Sequence, residues 1–185
     1  MTSFLQDNYP SLNSSQTADI ADLYPEEPEL PFHNAYFPSA ARAYGEATFI
    51  CPVRNILDHV NATNTTWSYR YDVQQADTVD SGFGVPHVAE VPAVMGPDML
   101  SYSANPSYTT YNADAVPLVM NYWLSFVKTL NPNPERLVGS LEWEPWARNQ
   151  SRIVIKTRDS VMEKVGDGEN SRCQFWEEIG PLIHQ

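Results

Sequence analysis

Only two stretches of this 185-residue chain read as β-strand, and they lie far apart. In residues 66–73, Trp67, Tyr69, Tyr71 and Val73 alternate with Ser68, Arg70 and Asp72. That period of two, carried by β-favouring aromatics, predicts a half-buried strand. Residues 151–156 hold the second candidate, around Ile153, Val154 and Ile155. Two or three strands are marginal support for a chain of this length. Either further strands lie in residues 98–112, or most of the sheet lies outside this sequence.

The remaining elements read as helices separated by proline and glycine. Residues 1–34 are acidic and proline-rich, with Tyr9-Pro10, Tyr24-Pro25-Glu26-Glu27-Pro28-Glu29 and Pro31. Proline disfavours helix at and before its position, which predicts extended surface here with one short helix over 17–23. Ala40, Ala41, Ala43, Tyr44 and Ala47 predict a helix over 39–49, and Pro52 suits the first turn of another. A short segment over 88–95 ends at Gly96-Pro97. Asp114 is the expected N-cap of the strongest helix, whose stripe is Val116, Val119, Tyr122/Trp123, Phe126/Val127 and Leu130. Asn131-Pro132-Asn133-Pro134 stops it, and a last helix is expected over 172–179, closed by Gly180-Pro181. There are no internal repeats.

Charge and composition exclude several classes. Eleven Lys and Arg against 23 Asp and Glu give a net charge of −12. Such a chain lacks the basic clusters that bind nucleic acid or an anionic membrane. A hydrophobic content of 42% argues against wholesale disorder. No apolar run approaches the roughly 18–20 residues that span a bilayer. The first residues show no basic start followed by an apolar stretch, so no signal peptide is expected in this chain. Against that, Asn13, Asn61, Asn64 and Asn149 each begin an N-x-Ser/Thr acceptor, which suits the secretory route although such tripeptides often arise by chance. Cys51 and Cys173 form no C-x-x-C pair; they are either free core thiols or one long-range disulfide. No metal-binding framework and no cofactor motif is present, and neither a metal nor a cofactor is expected.

Few residues are placed for chemistry. No G-x-S-x-G, phosphate-binding glycine loop, H-E-x-x-H or Ca²⁺ loop occurs. His33, His59 and His184 read as structural or solvated. His87 differs, because Gly82-Phe83-Gly84-Val85-Pro86-His87-Val88-Ala89-Glu90 follows the aromatic strand and precedes a short helix. A loop in that position can bring an imidazole to the edge of a sheet, where it is either a solvated histidine or a general base for a hydroxyl nucleophile.

Several stretches together resemble one family. These are Phe49-Ile50-Cys51-Pro52, Trp67-Ser68-Tyr69-Arg70-Tyr71-Asp72, Gly84-Val85-Pro86-His87-Val88-Ala89-Glu90, Met120-Asn121-Tyr122-Trp123 with Asn131-Pro132-Asn133, and Cys173-Gln174-Phe175-Trp176. In order and separation they are similar to the C-terminal portion of a type-B carboxylesterase, the cholinesterase and fungal-lipase group of α/β-hydrolases. The resemblance implies an α/β fold, namely the C-terminal part of an α/β-hydrolase with an incomplete sheet and several helices. It implies that residues 1–185 are one segment of such a domain, 1–34 its surface stretch and 35–185 the histidine-loop and C-terminal helix region. His87 falls on the catalytic histidine, Glu90 on a supporting acid, and Cys51 with Cys173 on a disulfide pair. Leu130 stands where the family often has glycine, and Trp143-Glu144-Pro145-Trp146 departs from its usual Trp-Pro pattern.

The resemblance places the serine nucleophile, its oxyanion loop and the triad acid outside these residues, since Asp72, Asp77 and Asp80 lie too close to His87 in sequence to serve. Two functions follow as expectations. One is a secreted carboxylic-ester hydrolase acting on an ester substrate, to which this chain supplies the histidine, the isolated chain being inactive. The other is a non-catalytic truncated paralogue that homodimerises through its C-terminal helices, with Phe175, Trp176 and Ile179 as anchors. An artificially truncated gene product is the third expectation.

Overall fold

The computed structural model describes residues 1–97, 106–146 and 149–183. They form two compact units: unit 1 joins Met1–Asn64 to Val165–Gln185, and unit 2 is Thr65–Lys164.

Unit 1 is helical: α1 (Thr2–Asn8), α2 (Ser14–Leu23), α3 (Phe37–Gly45), α4 (Cys51–Val60) and α8 (Asp167–Ile179). The helix expected over 17–23 is present as α2, three residues longer at its start, but the extended or turn-rich surface expected for the rest of 1–34 is corrected by α1 and by burial. Both helices there bury apolar residues, and Leu5, Tyr9, Leu12, Ile20 and Tyr24 all belong to the core. Leu5 and Tyr9 are four apart, as are Ile20 and Tyr24, so each pair shares a helix face. Pro10 and Pro25 end these helices rather than prevent them. Asn13 starts α2 with a reciprocal capping box: its Oδ1 accepts from Gln16 N (3.0 Å), and Gln16 Oε1 accepts from Asn13 N (2.9 Å).

Between α3 and α4 the helix widens into a π-turn over Glu46–Ile50. Pro52 cannot donate to the carbonyl four residues back, and Cys51 N bonds Glu46 O instead. Helix α8 begins five residues earlier than expected, with Asp167 and Glu169 in its first turn, where the helix dipole favours acids.

Unit 2 contains β1 (Tyr69–Tyr71), α5 (Ala76–Asp80), α6 (Val91–Met95), α7 (Ala115–Thr129), β2 (Ser151–Ile155) and β3 (Val161–Lys164). The strands form one sheet in the order β1-β2-β3. Strands β1 and β2 pair in parallel, Tyr69 opposite Ile153 and Tyr71 opposite Ile155; β2 and β3 pair antiparallel. The parallel pair requires the long crossover that α5, α6 and α7 supply. Strand β3 was not foreseen. It follows a reversal in which Lys156 N bonds Ser160 Oγ (3.1 Å), and it carries no buried residue. Residues 106–112 hold a 3₁₀ turn (Pro106–Thr109) and no strand, while 98–105 lie outside the described residues.

Helix α7 buries the first part of the expected stripe, Val119 and Tyr122 with Val116 and Trp123 packed beside them, but not its end. Ala115, Leu118, Val119, Tyr122 and Ser125 are buried, whereas Phe126, Val127 and Leu130 are exposed. Asp114 precedes α7 without a side-chain cap bond, because its backbone is already helical; its carboxylate pairs with Arg158 at 3.5 Å. Leu130 ends the helix in the left-handed conformation, φ 57°. Ser125 Oγ closes the stop by donating to Asn131 O (2.8 Å) and accepting from Glu135 N (3.0 Å).

Trp143 ties the sheet to α7. Its indole N–H donates to Ser68 O (2.9 Å) and its backbone N–H to Asn133 Oδ1 (2.8 Å). Its ring packs edge-on to Tyr122 and Tyr69.

Candidate functional site

The candidate site grows from the end of β1. After Tyr71 the chain enters the core at Val73 and Gln75, forms the single turn α5, and reverses where Thr78 O accepts from both Phe83 N (2.8 Å) and Gly84 N (3.1 Å). That double contact needs left-handed backbone, and Gly82 (φ 82°) and Gly84 (φ 65°) supply it. Gly84 has open space where a Cβ would stand, so conformation and not room demands glycine there.

His87 follows, exposed, on a tight turn closed by Ala89 N→Pro86 O and Val91 N→Val88 O, both 3.2 Å. Its neighbour Val88 has φ 66°. A β-branched residue in that region is strained, at a cost on the order of 1–3 kcal/mol. Glu90 then starts α6, its carbonyl accepting from Ala93 N and Val94 N, both 2.9 Å. Thus His87 and Glu90 sit on one turn.

Three phenols support this turn, with Tyr108 buried, Tyr71 half-buried and Tyr69 37% exposed. Tyr69 OH donates to Glu90 Oε1 at 3.3 Å. Burial first, and then the Glu90 charge, push the Tyr69 phenol up to about 12. Tyr108 OH donates to Ala89 O (2.6 Å), accepts from Gln75 Nε2 (3.2 Å) and lies 2.8 Å from Tyr71 OH. Burial raises both Tyr71 and Tyr108 as well, so all three phenols keep their protons at neutral pH and can donate. These contacts were not legible in the sequence: Tyr71 read as a strand position, and nothing marked Tyr108.

The other sequence-chosen residues fall elsewhere. Cys51 and Cys173 form a disulfide in unit 1, with a sequence separation of 122. Beside it, Arg172 makes a bidentate pair with buried Glu46 (2.7 and 2.6 Å), and Tyr24 OH donates to the same carboxylate at 2.7 Å. Trp176 Nε1 donates to Tyr24 OH at 2.6 Å. His33 stacks on Phe37 with centroids 3.9 Å apart. His59 Nδ1 lies 2.8 Å from Asn55 O, and His184 lies outside the described residues. Asn13, Asn64 and Asn149 are exposed and Asn61 is half-buried. Of the proposed dimer anchors, Trp176 and Ile179 are buried within unit 1.

A cavity of about 620 Å³ between α4 and α8 is lined by both cysteines and by Arg54, Asp58, His59 and Glu177. Its charges answer one another, as Arg54 and Asp58 do at 3.8 Å. Among the described residues, no group of three His, Cys, Asp or Glu could hold a metal, and no helix is long and apolar enough to cross a membrane.

A partial mixed sheet, a long crossover and a histidine on the loop after β1 define a piece of an α/β-hydrolase. The carboxylesterase family model matches residues 2–176, and the chain belongs to that family. The crystal structure of Aspergillus niger EstA superposes with a TM-score of 0.92 and 36% identity, covering 100% of this chain and 36% of that one. Secreted lipase 4 of Gibberella zeae is 24% identical over 184 residues, 94% of this chain and 31% of the lipase. Acetylcholinesterase of Bungarus fasciatus is 25% identical over 148 residues, 75% of this chain and 22% of that protein. The chain thus spans about a third or less of the relatives it matches.

Proposed function

We propose that this chain is the C-terminal segment of a type-B carboxylesterase domain and supplies its general base, His87. The reaction is hydrolysis of a carboxylic ester. His87 takes the proton from a serine hydroxyl and returns it to the leaving alcohol, while Glu90 supports the loop. The serine, the oxyanion hole and the acid that orients His87 come from sequence outside these 185 residues. The observation that carries the reading is the strained glycine loop: His87 stands beside Val88 at φ 66°, and strained backbone of this kind gathers at functional sites.

Secretion is part of the proposal. The Gibberella zeae relative is named a secreted lipase, and the four acceptor asparagines and the disulfide suit the same compartment.

The test is a chimera in which this chain replaces the matching 36% of EstA. It should hydrolyse p-nitrophenyl esters with saturation, and His87→Ala should lower kcat at least about 10³-fold. The isolated chain should be no faster than its own His87→Ala variant. A chimera that folds and loses nothing on His87→Ala would refute the reading.

A second reading, a homodimer without catalysis, is favoured by Leu124, Phe126 and Val127, which α7 leaves exposed. Light scattering separates the two: a dimer that Val127→Asp dissolves, together with an inactive chimera, would support it.

A further inference from the structure

We propose that Tyr108 is a positioning residue for His87, acting through the backbone that carries the imidazole; this rests on the reading of His87 as the general base. The ring of Tyr108 is 2% exposed in the core of unit 2, yet its hydroxyl meets three polar groups. A phenol has one proton to give and two lone pairs to accept with. The proton goes to Ala89 O at 2.6 Å. Gln75 Nε2 donates to the oxygen at 3.2 Å, so Tyr71 OH, 2.8 Å away, is the second donor. Tyr71 on β1, Gln75 before α5 and Tyr108 on its 3₁₀ turn therefore fix the direction of the bond that Tyr108 gives to the loop.

That bond lands two residues beyond His87, with Val88 between. A left-handed β-branched residue persists only where its surroundings over-determine it. Pro86 restricts the chain on one side. On the other side Tyr108 clamps Ala89 O, and the turn bonds of Ala89 N and Val91 N, at 3.2 Å each, are longer than the clamp. Without the clamp Val88 is free to relax to extended backbone, which moves the Cα–Cβ bond of His87. A displacement of about 1 Å in a reacting group can cost about a hundredfold in rate.

The test uses nuclear magnetic resonance on the intact 185-residue chain, reading the Val88 HN–Hα coupling, the exchange of the Val91 amide and the ring signals of His87. In Tyr108→Phe the ring stays and the clamp goes. We expect the Val88 coupling to move to its extended-backbone value, Val91 exchange to quicken about tenfold, and the His87 ring signals to shift. Amides of β2 and α7 should keep their protection.

Val88→Gly removes the strain. In that background Tyr108→Phe should change Val91 exchange by less than about threefold, because the two sites are coupled through one loop. An unchanged Val88 coupling, or the same effect in both backgrounds, would overturn the proposal and leave Tyr108 as core packing only. If Tyr108→Phe alone does not fold, the double variant, relieved of strain, must fold and show unperturbed Val91 exchange; failure there overturns it too. None of these readings requires catalysis, so an inactive chimera would remove the esterase reading and leave this result standing.

Discussion

Unit 1 and unit 2 solve the same problem, ordering about a hundred residues or fewer, with different means. Unit 1 is assembled from two chain segments, Met1–Asn64 and Val165–Gln185, whereas unit 2 is continuous. Besides a shared apolar core, the two segments of unit 1 are joined by a disulfide, a buried ion pair and a phenol–indole bond: Cys51–Cys173, Glu46–Arg172 and Tyr24–Trp176. Unit 2 relies on aromatic packing around Trp143 and on hydroxyl bonds between neighbouring elements. The difference follows from chain entropy, since a discontinuous unit must close a long loop before the contacts between its two segments form. Covalent and charged links of high geometric demand then suit the seam, and the continuous unit is left to carry the strained loop at Val88 and His87.

The largest way to break this comparison is to remove the seam. Cys51→Ala with Cys173→Ala opens a loop with a separation of 122 residues. The chain-entropy model puts the loss at about 5 kcal/mol, readable as a fall in urea midpoint with reduced buffer as control. Trp143→Ala is the matching injury to unit 2. It removes a 5%-exposed indole and its bond to Ser68 O, which Ile153 N still reaches, while the backbone bond to Asn133 Oδ1 survives; the lost packing costs about 3–5 kcal/mol. If the comparison holds, this loss is the same with the disulfide oxidised or reduced.

Leu130→Gly runs the other way. Leu130 sits at φ 57° and is 73% exposed, so glycine relieves the left-handed backbone and gives up little packing. A gain of about 1 kcal/mol is expected, seen as a rise in Tm. The smallest effect belongs to Glu163, which joins Arg70 and Arg152 across the sheet. Burial would raise its carboxyl, but hydrogen bonds from both guanidinium groups outweigh that and hold it below 4.5. A depressed carboxyl stabilises above its unfolded value and loses that contribution as pH falls through its folded value. Glu163→Gln should therefore flatten the stability profile below about pH 4.5, by less than about 1 kcal/mol, since the pair is partly exposed.

The sequence reading succeeded where a local rule sufficed. Helix α4 follows from Pro52 and α7 from its apolar period and proline stop; the strand expected over 66–73 is present as β1, shortened to Tyr69–Tyr71 and without the expected alternation of burial. It failed where tertiary contact decides. Helix α1 exists because Leu5 and Tyr9 find a core shared with Trp176, whose position is far along the chain; helix α2 was expected over 17–23, but not the burial of Ile20 and Tyr24 in that core. The Glu46–Arg172 pair left no local trace, and the pairing of Cys51 with Cys173 was legible only through family resemblance. Leu130 was flagged as a departure from glycine, and its left-handed backbone gives the physical reason. At the site, glycines marked the loop around His87, but nothing in the sequence marked Val88 as strained or Tyr108 as its support.

With His87 as the proposed general base, the seam of unit 1 has a structural role and the loop of unit 2 a chemical one. One measurement tests that directly, kcat for p-nitrophenyl ester hydrolysis by the EstA chimera at a temperature where every variant is folded. The account predicts that His87→Ala loses at least about 10³-fold while Cys51→Ala with Cys173→Ala stays within about threefold of the parent. A His87→Ala variant that keeps the parent's rate, or a disulfide variant that falls as far as His87→Ala does, would contradict it.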